Sequence, residues 1–513
     1  MLTHLLSLLI WLPMGLGLVL LFLSGCKGSP FLIKSAGVLF SLLIMGLAGV
    51  LYAHFDVSNF ALQFNESASW IPMLNIHYAL GVDGLSVLFI LLTCFANLII
   101  VLSAWKYVQK GVAEYMALFL FSTGILNGIF AAQDAILYYF FWEASMLPLY
   151  LGVGIWGGER RAYAALKFFL YNMLGSLAML LGFVYLYLIS GSFSLSVWQG
   201  LSLPLLVQNL LFFAFFLSFA VKMPMWPLHT WFADLHAEAP AGGSIALAAL
   251  MLKNGGYGFL RFNLPLVPGI SLGFLWTLIG LALVAVVLVG FSALAQKDMR
   301  RLIAYSSISH MGIVTLGIFM VMMILLGSNN SMILSSHTAA VMSLQGAIFQ
   351  MISHAFASAG LFILVACLAA RFGSSFIQDY QGLAKTLPAL AAFFVLFTMA
   401  GVGLPGTTGF VGEFFVVLAA LQSHFWVAFI AGCTLIISPA YLLWLLKRVI
   451  FGEVPQAALD RVYQDISCVE WIMMILLAIP VVYFGVYPHY LLNLTAASSD
   501  HLIEVVSAKL AYS

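Results

Sequence analysis

Apolar residues follow one another along this chain in long runs that are separated by short polar segments. A run of about 20 helical residues can cross the roughly 30 Å hydrocarbon core of a membrane. The pattern predicts fourteen transmembrane helices, at about residues 4–24, 31–53, 79–104, 115–132, 134–156, 164–190, 205–233, 240–262, 271–296, 300–325, 342–370, 386–422, 425–450 and 470–491. We therefore expect an all-α membrane protein.

The composition supports a location in lipid. Hydrophobic residues make up 64% of the 513 residues and charged residues 7%, whereas a soluble domain has about 25% charged residues. The mean hydropathy is +1.10. Because so few polar groups cannot cover a surface of this size, the solvent of this chain must be lipid. A net charge of +1 without a basic patch gives no indication of nucleic-acid binding.

The basic residues of the predicted loops lie almost entirely on one side of the membrane. The even-numbered loops carry only Arg261, and Lys509 follows the last span. Since cytoplasmic loops are enriched in Lys and Arg, we expect both termini on the opposite side, in the periplasm if the source is a bacterium. The odd-numbered loops carry Lys27, Lys34, Lys106, Lys110, Arg160, Arg161, Lys167, Lys297, Arg300, Arg301, Arg371, Lys385, Lys447, Arg448 and Arg461.

Four charged residues lie inside apolar runs: Glu143, Lys222, Lys253 and Glu413. An ionisable residue at membrane depth costs about 2.5–3.5 kcal/mol on insertion scales and is by default a candidate for function. Burial disfavours the charged form of such groups, so they can exchange protons with their neighbours. We therefore predict a proton path through these residues. The alternative is a silent ion pair that locks Glu143 to Lys222.

Two histidines lie between Lys253 and Glu413 in the sequence, namely His310 and His354. Because His titrates near neutral pH, we predict that both extend the proton path. The alternative is that they are ordinary core residues with satisfied hydrogen bonds. His229 also lies at membrane depth or near a helix end.

Two of the apolar runs are interrupted by proline, at residues 222–229 and 401–413. Broken backbone at membrane depth is tolerated only where it is buried in protein or lines a wet cavity. In transporters, broken helices at corresponding places in two halves mark the ion path. Because five spans, an odd number, separate the two breaks, we predict inverted five-helix repeats at about 115–262 and 271–450. The alternative is a pair of simple proline kinks.

The chain shows no sequence motif for a resident cofactor. Its five cysteines are far apart and form no C-x-x-C pair, so no metal site, iron–sulfur site or disulfide framework is predicted. Residues 401–406 match G-x-G-x-x-G, but a dinucleotide site requires this motif between a strand and a helix. Here it lies inside a membrane helix, so we reject that interpretation.

Several motifs, spread over nearly the whole chain, are similar to those of the antiporter-like subunits of respiratory complex I, the NADH:quinone oxidoreductase. They are GVDGLS at 81–86, FWE at 141–143, KMPMWPLHTW at 222–231, AEAP at 237–240, LKNGGYG at 252–258, YSSISHMG at 305–312 and GFVGEF at 409–414. The sister L- and N-type chains and the Mrp antiporter subunits typically carry Lys where this chain has Glu413. The resemblance is therefore to the M-type chains.

The resemblance implies a role for each buried residue. Glu143 would tune the charge of Lys222, and a shift of Lys222 toward Lys253, the central carrier, would pass a proton onward. His310 and His354 would extend the path.

At its far end, the resemblance makes Glu413 the exit-side group. It further implies that this chain has no redox centre, and that NADH, FMN, iron–sulfur clusters and quinone are bound by partner subunits. Neighbouring L- and N-type chains and a bacterial inner membrane are implied as well.

Other functions remain open on the sequence alone. The chief alternative is a subunit of an Mrp-type Na⁺/H⁺ antiporter; a membrane-bound hydrogenase module and a structural scaffold with silent charges are others. Four acidic residues could lie on the path or only at helix ends: Asp83, Asp134, Asp234 and Glu238. A lengthened loop is expected at about 327–340, away from the path.

Overall fold

The computed structural model describes residues 2–26, 28–327, 333–453 and 464–511. Lys27, Arg461 and residues 328–332 lie outside these ranges. The prediction of a loop as far as about residue 340 is wrong, because α17 already begins at Ile333. In chain order, the helices and strands are α1 (Leu5–Gly25), α2 (Pro30–Ala53), β1 (Gln63–Ile71), β2 (Ile76–Val82), α3 (Gly84–Tyr107), α4 (Val112–Ala131), α5 (Ala135–Ala144), α6 (Met146–Trp156), α7 (Arg161–Ser190), α8 (Leu195–Gln199), α9 (Leu205–Lys222), α10 (Thr230–Glu238), α11 (Ala241–Ala246), α12 (Leu252–Gly258), α13 (Leu264–Leu266), α14 (Leu272–Val284), α15 (Gly290–Leu294), α16 (Met299–Leu326), α17 (Ile333–Phe372), α18 (Leu383–Thr386), α19 (Pro388–Val402), α20 (Thr408–Ser423), α21 (Phe425–Gly432), α22 (Thr434–Val449), α23 (Cys468–Val486) and α24 (His489–Ala511).

Helical segments occupy every one of the fourteen predicted spans. Within the described ranges, 12 helical stretches are long and apolar enough to cross a membrane. The two other predicted spans, 240–262 and 386–422, are built from consecutive shorter segments. The prediction of an all-α membrane protein is confirmed, whereas the inverted repeats at 115–262 and 271–450 stay a prediction.

Two structural elements are not predicted by the apolar runs. Strands β1 and β2 form an antiparallel hairpin, with Glu66 opposite Leu80, so the predicted start of the third span at residue 79 is wrong. An apolar strand that leads directly into an apolar helix gives one continuous run, and run length alone cannot divide it. Likewise, the chain after the last span forms the 23-residue helix α24.

The chain divides into two compact units, of which the first comprises Met1–Lys222, Lys253–Phe274 and Asn493–Ser513. Within it, α1 packs on α4, α2 on α3, and α7 on α9. The hairpin is tied to the start of α1 by Glu66, whose Oε1 accepts hydrogen bonds from the backbone N–H groups of Leu6 at 2.9 Å and Ser7 at 3.2 Å. These N–H groups lie in the first turn of a helix and have no partner within it.

The second unit comprises Met223–Leu252 and Leu275–Leu492. Its centre is the 40-residue helix α17, which packs on α16 and α20. At the C-terminal end of α17, Arg371 binds Glu470 of α23 at 2.7 Å. Glu470 is itself part of a capping box at the start of α23, so this ion pair joins two helix ends.

Candidate functional site

Lys222 is bound by a site that consists mainly of neutral groups. It is the last residue of α9 and is 1% exposed. Its Nζ donates hydrogen bonds to the carbonyl oxygen of Trp142 at 3.0 Å and to Oγ of Ser145 at 2.8 Å. It also lies 3.6 Å from the centroid of the Trp142 ring, a cation–π distance.

Glu143 lies between these two residues in the sequence, but the ammonium of Lys222 does not bind its carboxylate directly. In the described part of the chain, the hydrogen bonds of Nζ go to Trp142 and Ser145 instead. Glu143 is half-buried, hydrogen-bonds with Tyr139 and acts on Lys222 through a Coulomb interaction. A locked Glu143–Lys222 ion pair is therefore not the arrangement that the structure shows.

Lys253 is fully buried in α12. Two π-helical segments flank this helix, Leu247–Met251 before it and Phe259–Asn263 after it. Such wide turns are rare and occur frequently at functional sites. Gly258 allows α12 to lie close to α9, because a Cβ atom there would lie 2.4 Å from the ring of Phe219.

A polar cluster follows Lys253 along the same helical stretch. Arg261 forms an ion pair with Asp83 at 2.6 Å and donates hydrogen bonds to Ser86 and Tyr257, both at 2.9 Å. The prediction that Arg261 lies in a loop is wrong, because it belongs to the π-helical segment that ends at Asn263. Asp83 also caps the N-terminus of α3 through Ser86 N–H at 3.0 Å.

The second unit holds the other group of predicted residues. Glu413 is 1% exposed, and its Oε1 lies 2.7 Å from Nδ1 of His310. The same oxygen accepts a hydrogen bond from Nε2 of Gln350 at 3.0 Å. The hydroxyl of Tyr441 lies 3.5 Å from the other ring nitrogen of His310, and the ring of His354 is 6.0 Å from that of His310.

The predicted break in the second interrupted run explains this geometry. Helix α19 ends at Val402, and α20 begins at Thr408. Gly403 and Gly406 have φ angles of +79° and +92°, which favour glycine. Gly412 brings α20 against the backbone of α17, because a Cβ atom there would lie 2.6 Å from the backbone nitrogen of Gln350. Glu413, the next residue, is thereby placed beside the Gln350 side chain.

A small cavity lies beside this cluster. Its lining is rich in hydroxyl, amide and imidazole groups, which can donate and accept hydrogen bonds. The polar residues of the lining are Ser306, Ser307, His310, Gln350, Ser353, His354 and Ser358.

Four residues that contact Lys222, Glu413 or His310 were not predicted: Trp142, Ser145, Gln350 and Tyr441. Gln350 could have been found, because it precedes His354 by four residues and so lies on the same face of α17. Trp142 and Ser145 flank Glu143 closely enough to have been considered. Nothing in the local sequence distinguishes Tyr441 from an ordinary buried tyrosine.

Three further acidic residues have other positions: Asp134 and Glu238 lie at helix ends, and Asp234 lies in the middle of α10. Asp134 caps α5 through the N–H groups of Ile136 at 2.9 Å and Leu137 at 3.2 Å. Asp234 binds Arg301 at 3.0 Å, and Glu238 is the last residue of α10. His229 immediately precedes that helix. Among the residues that the structure describes, no three His, Cys, Asp or Glu side chains converge as a metal site would require.

Comparisons with known proteins point to one family. The sequence profile described as "NADH:quinone oxidoreductase/Mrp antiporter, TM" matches residues 132–438. The chain is 42% identical to NADH-quinone oxidoreductase subunit M of Rhodobacter capsulatus, over 99% of this chain and 98% of that relative.

Solved structures show the same similarity. A chain of respiratory complex I from Thermus thermophilus superimposes with a TM-score of 0.85 at 30% identity, over 99% of this chain and 100% of that chain. A chain of the Mrp complex from Dietzia sp. DQ12-45-1b superimposes with a TM-score of 0.80 at 19% identity, over 99% of this chain and 55% of that chain, which shows a shared fold alone. The chain belongs to the transmembrane family of NADH:quinone oxidoreductase and Mrp antiporter subunits, and within it to the M subunits.

Proposed function

We propose that protons cross the membrane through this subunit by way of two clusters of buried residues. The Lys222 cluster comprises Glu143, Lys222 and Lys253 in the first unit. The Glu413 cluster comprises His310, His354 and Glu413 in the second. The chain is a proton-translocating membrane-arm subunit of an NADH:quinone oxidoreductase.

The single observation that carries this assignment is the pairing of Glu413 with His310 at 2.7 Å beside a cavity whose lining includes serine and histidine side chains. A carboxylate and an imidazole at this distance can pass a proton between them, and both lie within hydrogen-bond reach. The Gln350 amide, which donates to the same carboxylate oxygen, holds that oxygen toward His310. A purely structural core would not require two titratable groups beside a cavity lined by hydroxyl groups.

The Lys222 cluster supplies a second proton-transfer group. Trp142 and Ser145 provide hydrogen-bond acceptors for the ammonium of Lys222, while Glu143 acts on it at longer range through its charge. A movement of Lys222 toward or away from Glu143 changes this Coulomb interaction and so the balance between proton uptake and release. Lys253, buried in the same unit, is the proposed acceptor of the released proton.

In this proposal the electrons move elsewhere in the complex. NADH, FMN, iron–sulfur clusters and quinone are bound by partner subunits, and this chain contributes proton transfer. The neighbours in the membrane arm are L- and N-type chains. The charge pattern of the loops further supports a bacterial inner membrane with both termini in the periplasm.

An Mrp-type Na⁺/H⁺ antiporter subunit is the weaker alternative. The match to the Mrp chain covers only 55% of that chain at 19% identity, whereas the complex I chain is matched over its full length. In addition, Mrp antiporter subunits typically carry Lys at the position in the second broken helix where this chain has Glu413.

The Glu143→Ala variant tests the proposed function in inverted membrane vesicles. NADH oxidation and acidification of the vesicle lumen are followed together, and assembly is checked on a native gel. We expect both activities to fall at least about tenfold while the complex still assembles, because removal of the carboxylate takes away the charge that acts on Lys222. Glu159→Gln, at an exposed carboxylate, is the control and should behave as wild type. Unchanged oxidation and acidification in Glu143→Ala would contradict the proposal.

A further inference from the structure

The Lys222 site lies at a break in the helix that carries Glu143. Helix α5 ends at Ala144, Ser145 interrupts the α-helical run, and α6 begins at Met146. Pro148 accounts for the break, because its ring clashes with the carbonyl of the residue four positions earlier, Ala144, and it has no N–H to donate. The interruption therefore falls two residues after Glu143.

The break orients two oxygen atoms toward one point. Ser145 is 1% exposed, and its hydroxyl donates a hydrogen bond to the carbonyl oxygen of Trp142 at 2.7 Å. The same two oxygen atoms accept the hydrogen bonds of Lys222 Nζ, at 2.8 Å and 3.0 Å. The Ser145 hydroxyl thus donates a hydrogen bond to the Trp142 carbonyl and accepts one from Lys222. This arrangement is complete without any charged partner.

Glu143 competes for the same ammonium. One of its carboxylate oxygens, Oε1, is buried and has no hydrogen-bond partner among the described residues. A charged carboxylate would ordinarily attract a nearby ammonium into a direct ion pair, since charge-assisted hydrogen bonds are about twice as strong as neutral ones. In the structure, the ammonium instead contacts the Trp142 carbonyl, the Trp142 ring and the Ser145 hydroxyl.

We infer that Ser145 is a positioning residue that holds the Lys222 ammonium away from Glu143 and so sets the balance between an open and a closed Lys222–Glu143 pair. The inference rests on the proposed function, because the balance matters only if Lys222 exchanges protons. Ser145 itself exchanges none. Its hydroxyl provides one of two acceptors for the open state, and losing it favours the closed state, in which Lys222 is retained by Glu143.

Three substitutions separate the hydroxyl from the shape of the side chain. Ser145→Ala removes the acceptor, Ser145→Cys keeps the size but offers only a weak acceptor, and Ser145→Thr keeps the hydroxyl. The matched control is Ser103→Ala. Ser103 is equally buried, and its hydroxyl also binds the carbonyl three residues earlier at 2.7 Å, that of Ile100.

The assay uses the whole complex in inverted vesicles, with NADH oxidation and lumen acidification measured together. A hydrogen bond to a charged group changes an equilibrium by about tenfold or more. We therefore expect Ser145→Ala and Ser145→Cys to reduce both activities by about tenfold or more, and Ser145→Thr to keep them near the wild-type level. A structure of the Ser145→Cys complex should place Lys222 Nζ within ion-pair distance of Glu143.

The outcomes distinguish this inference from the proposed function. If Ser145→Ala and Ser145→Cys match Ser103→Ala while Glu143→Ala abolishes activity, the inference is overturned and the proposed function stands. If Glu143→Ala is itself without effect, both fail. If Ser145→Ala does not assemble, the comparison of Ser145→Cys with Ser145→Thr decides, because both fill the space of the side chain.

Discussion

Lys222 and Glu413 lie in different units, yet each has neutral groups among its direct partners. Lys222 contacts a carbonyl, a hydroxyl and an aromatic ring, and Glu413 is bound by an amide and an imidazole. Arg261 differs, because it forms a direct ion pair with Asp83. A buried ion pair stabilises the charged form of both partners, whereas a hydrogen bond from a neutral group stabilises the charged form of one partner only. At the scale of residues, this difference separates the proposed proton carriers from the Arg261–Asp83 ion pair.

The Arg261–Asp83 pair should therefore matter for stability rather than for proton transfer. Replacing Arg261 with Met leaves a buried carboxylate without its cation, and we expect a loss of about 3–5 kcal/mol. The measurement is the temperature at which the assembled complex dissociates, followed on native gels. The remaining assembled complex should pump the wild-type number of protons per NADH.

The control for this prediction is the exposed pair His501–Glu504, in which Nδ1 of His501 lies 3.8 Å from Oε2 of Glu504. Because surface pairs contribute about 0–1 kcal/mol, Glu504→Gln should leave the dissociation temperature almost unchanged. If Arg261→Met behaved like Glu504→Gln, the structural role would be wrong. A lower proton-to-NADH ratio would instead place Arg261 on the path.

At the scale of elements, each proline interruption lies next to a buried ionisable residue. Helix α9 ends at Lys222 before the first break, and α20 carries Glu413 in its second turn after the second break. Helix α5 ends one residue after Glu143. Interrupted helices leave backbone groups without partners in the helix, and these groups can then bind a side chain, as the Trp142 carbonyl binds Lys222. The helix breaks thus provide backbone groups that bind the neighbouring ionisable side chains.

Gly412→Ala tests the close approach of α20 to α17. The added Cβ atom would lie 2.6 Å from the backbone nitrogen of Gln350, and backbone atoms cannot move aside as a flexible side chain can. We expect NADH oxidation and acidification to fall at least about tenfold, because Glu413 would be displaced from its partners. Gly432→Ala is the matched control, since a Cβ atom there meets nothing within 4 Å. Equal activity of the two variants would refute the packing argument.

At the scale of the whole molecule, the charged groups of the two clusters suit protons better than metal cations. A protonated Lys has three donors and no acceptor, so it repels Na⁺ rather than coordinating it. His and Lys side chains, by contrast, accept and release protons. The two units each contain such groups, Lys222 and Lys253 in the first and His310 in the second.

We therefore expect NADH-driven acidification to be independent of sodium. Inverted vesicles would be assayed in potassium medium with and without added Na⁺, in the presence of a sodium ionophore. The initial acidification rate should agree within experimental error in the two media. A matched preparation carrying Glu143→Ala shows how much of the signal belongs to this subunit. Acidification that required Na⁺, or that Na⁺ alone reversed, would favour the antiporter alternative.

The sequence by itself determined the membrane architecture and the identities of the buried charges. Because the thickness of the hydrocarbon core sets the length of a spanning helix, most of the helical spans could be found without coordinates. The four charged residues inside apolar runs could be found as well, because charges are rare there. The family also followed from motifs along the chain. The hairpin β1–β2 could not be found in this way, because apolar run length does not distinguish a strand from the start of a helix. The 23-residue helix α24 could not be found either, because its many polar residues do not form an apolar run.

Only the tertiary structure decided which groups touch the charges. The contacts of Lys222 with Trp142 and Ser145 join positions about 80 residues apart, and the pairing of Glu413 with His310 joins positions 103 residues apart. Such contacts depend on how helices pack. Gly258 and Gly412 show how close this packing is, because a Cβ atom at either position would lie only 2.4 or 2.6 Å from a neighbouring atom. The sequence therefore indicates which residues can carry protons, and the fold determines which partners hold them.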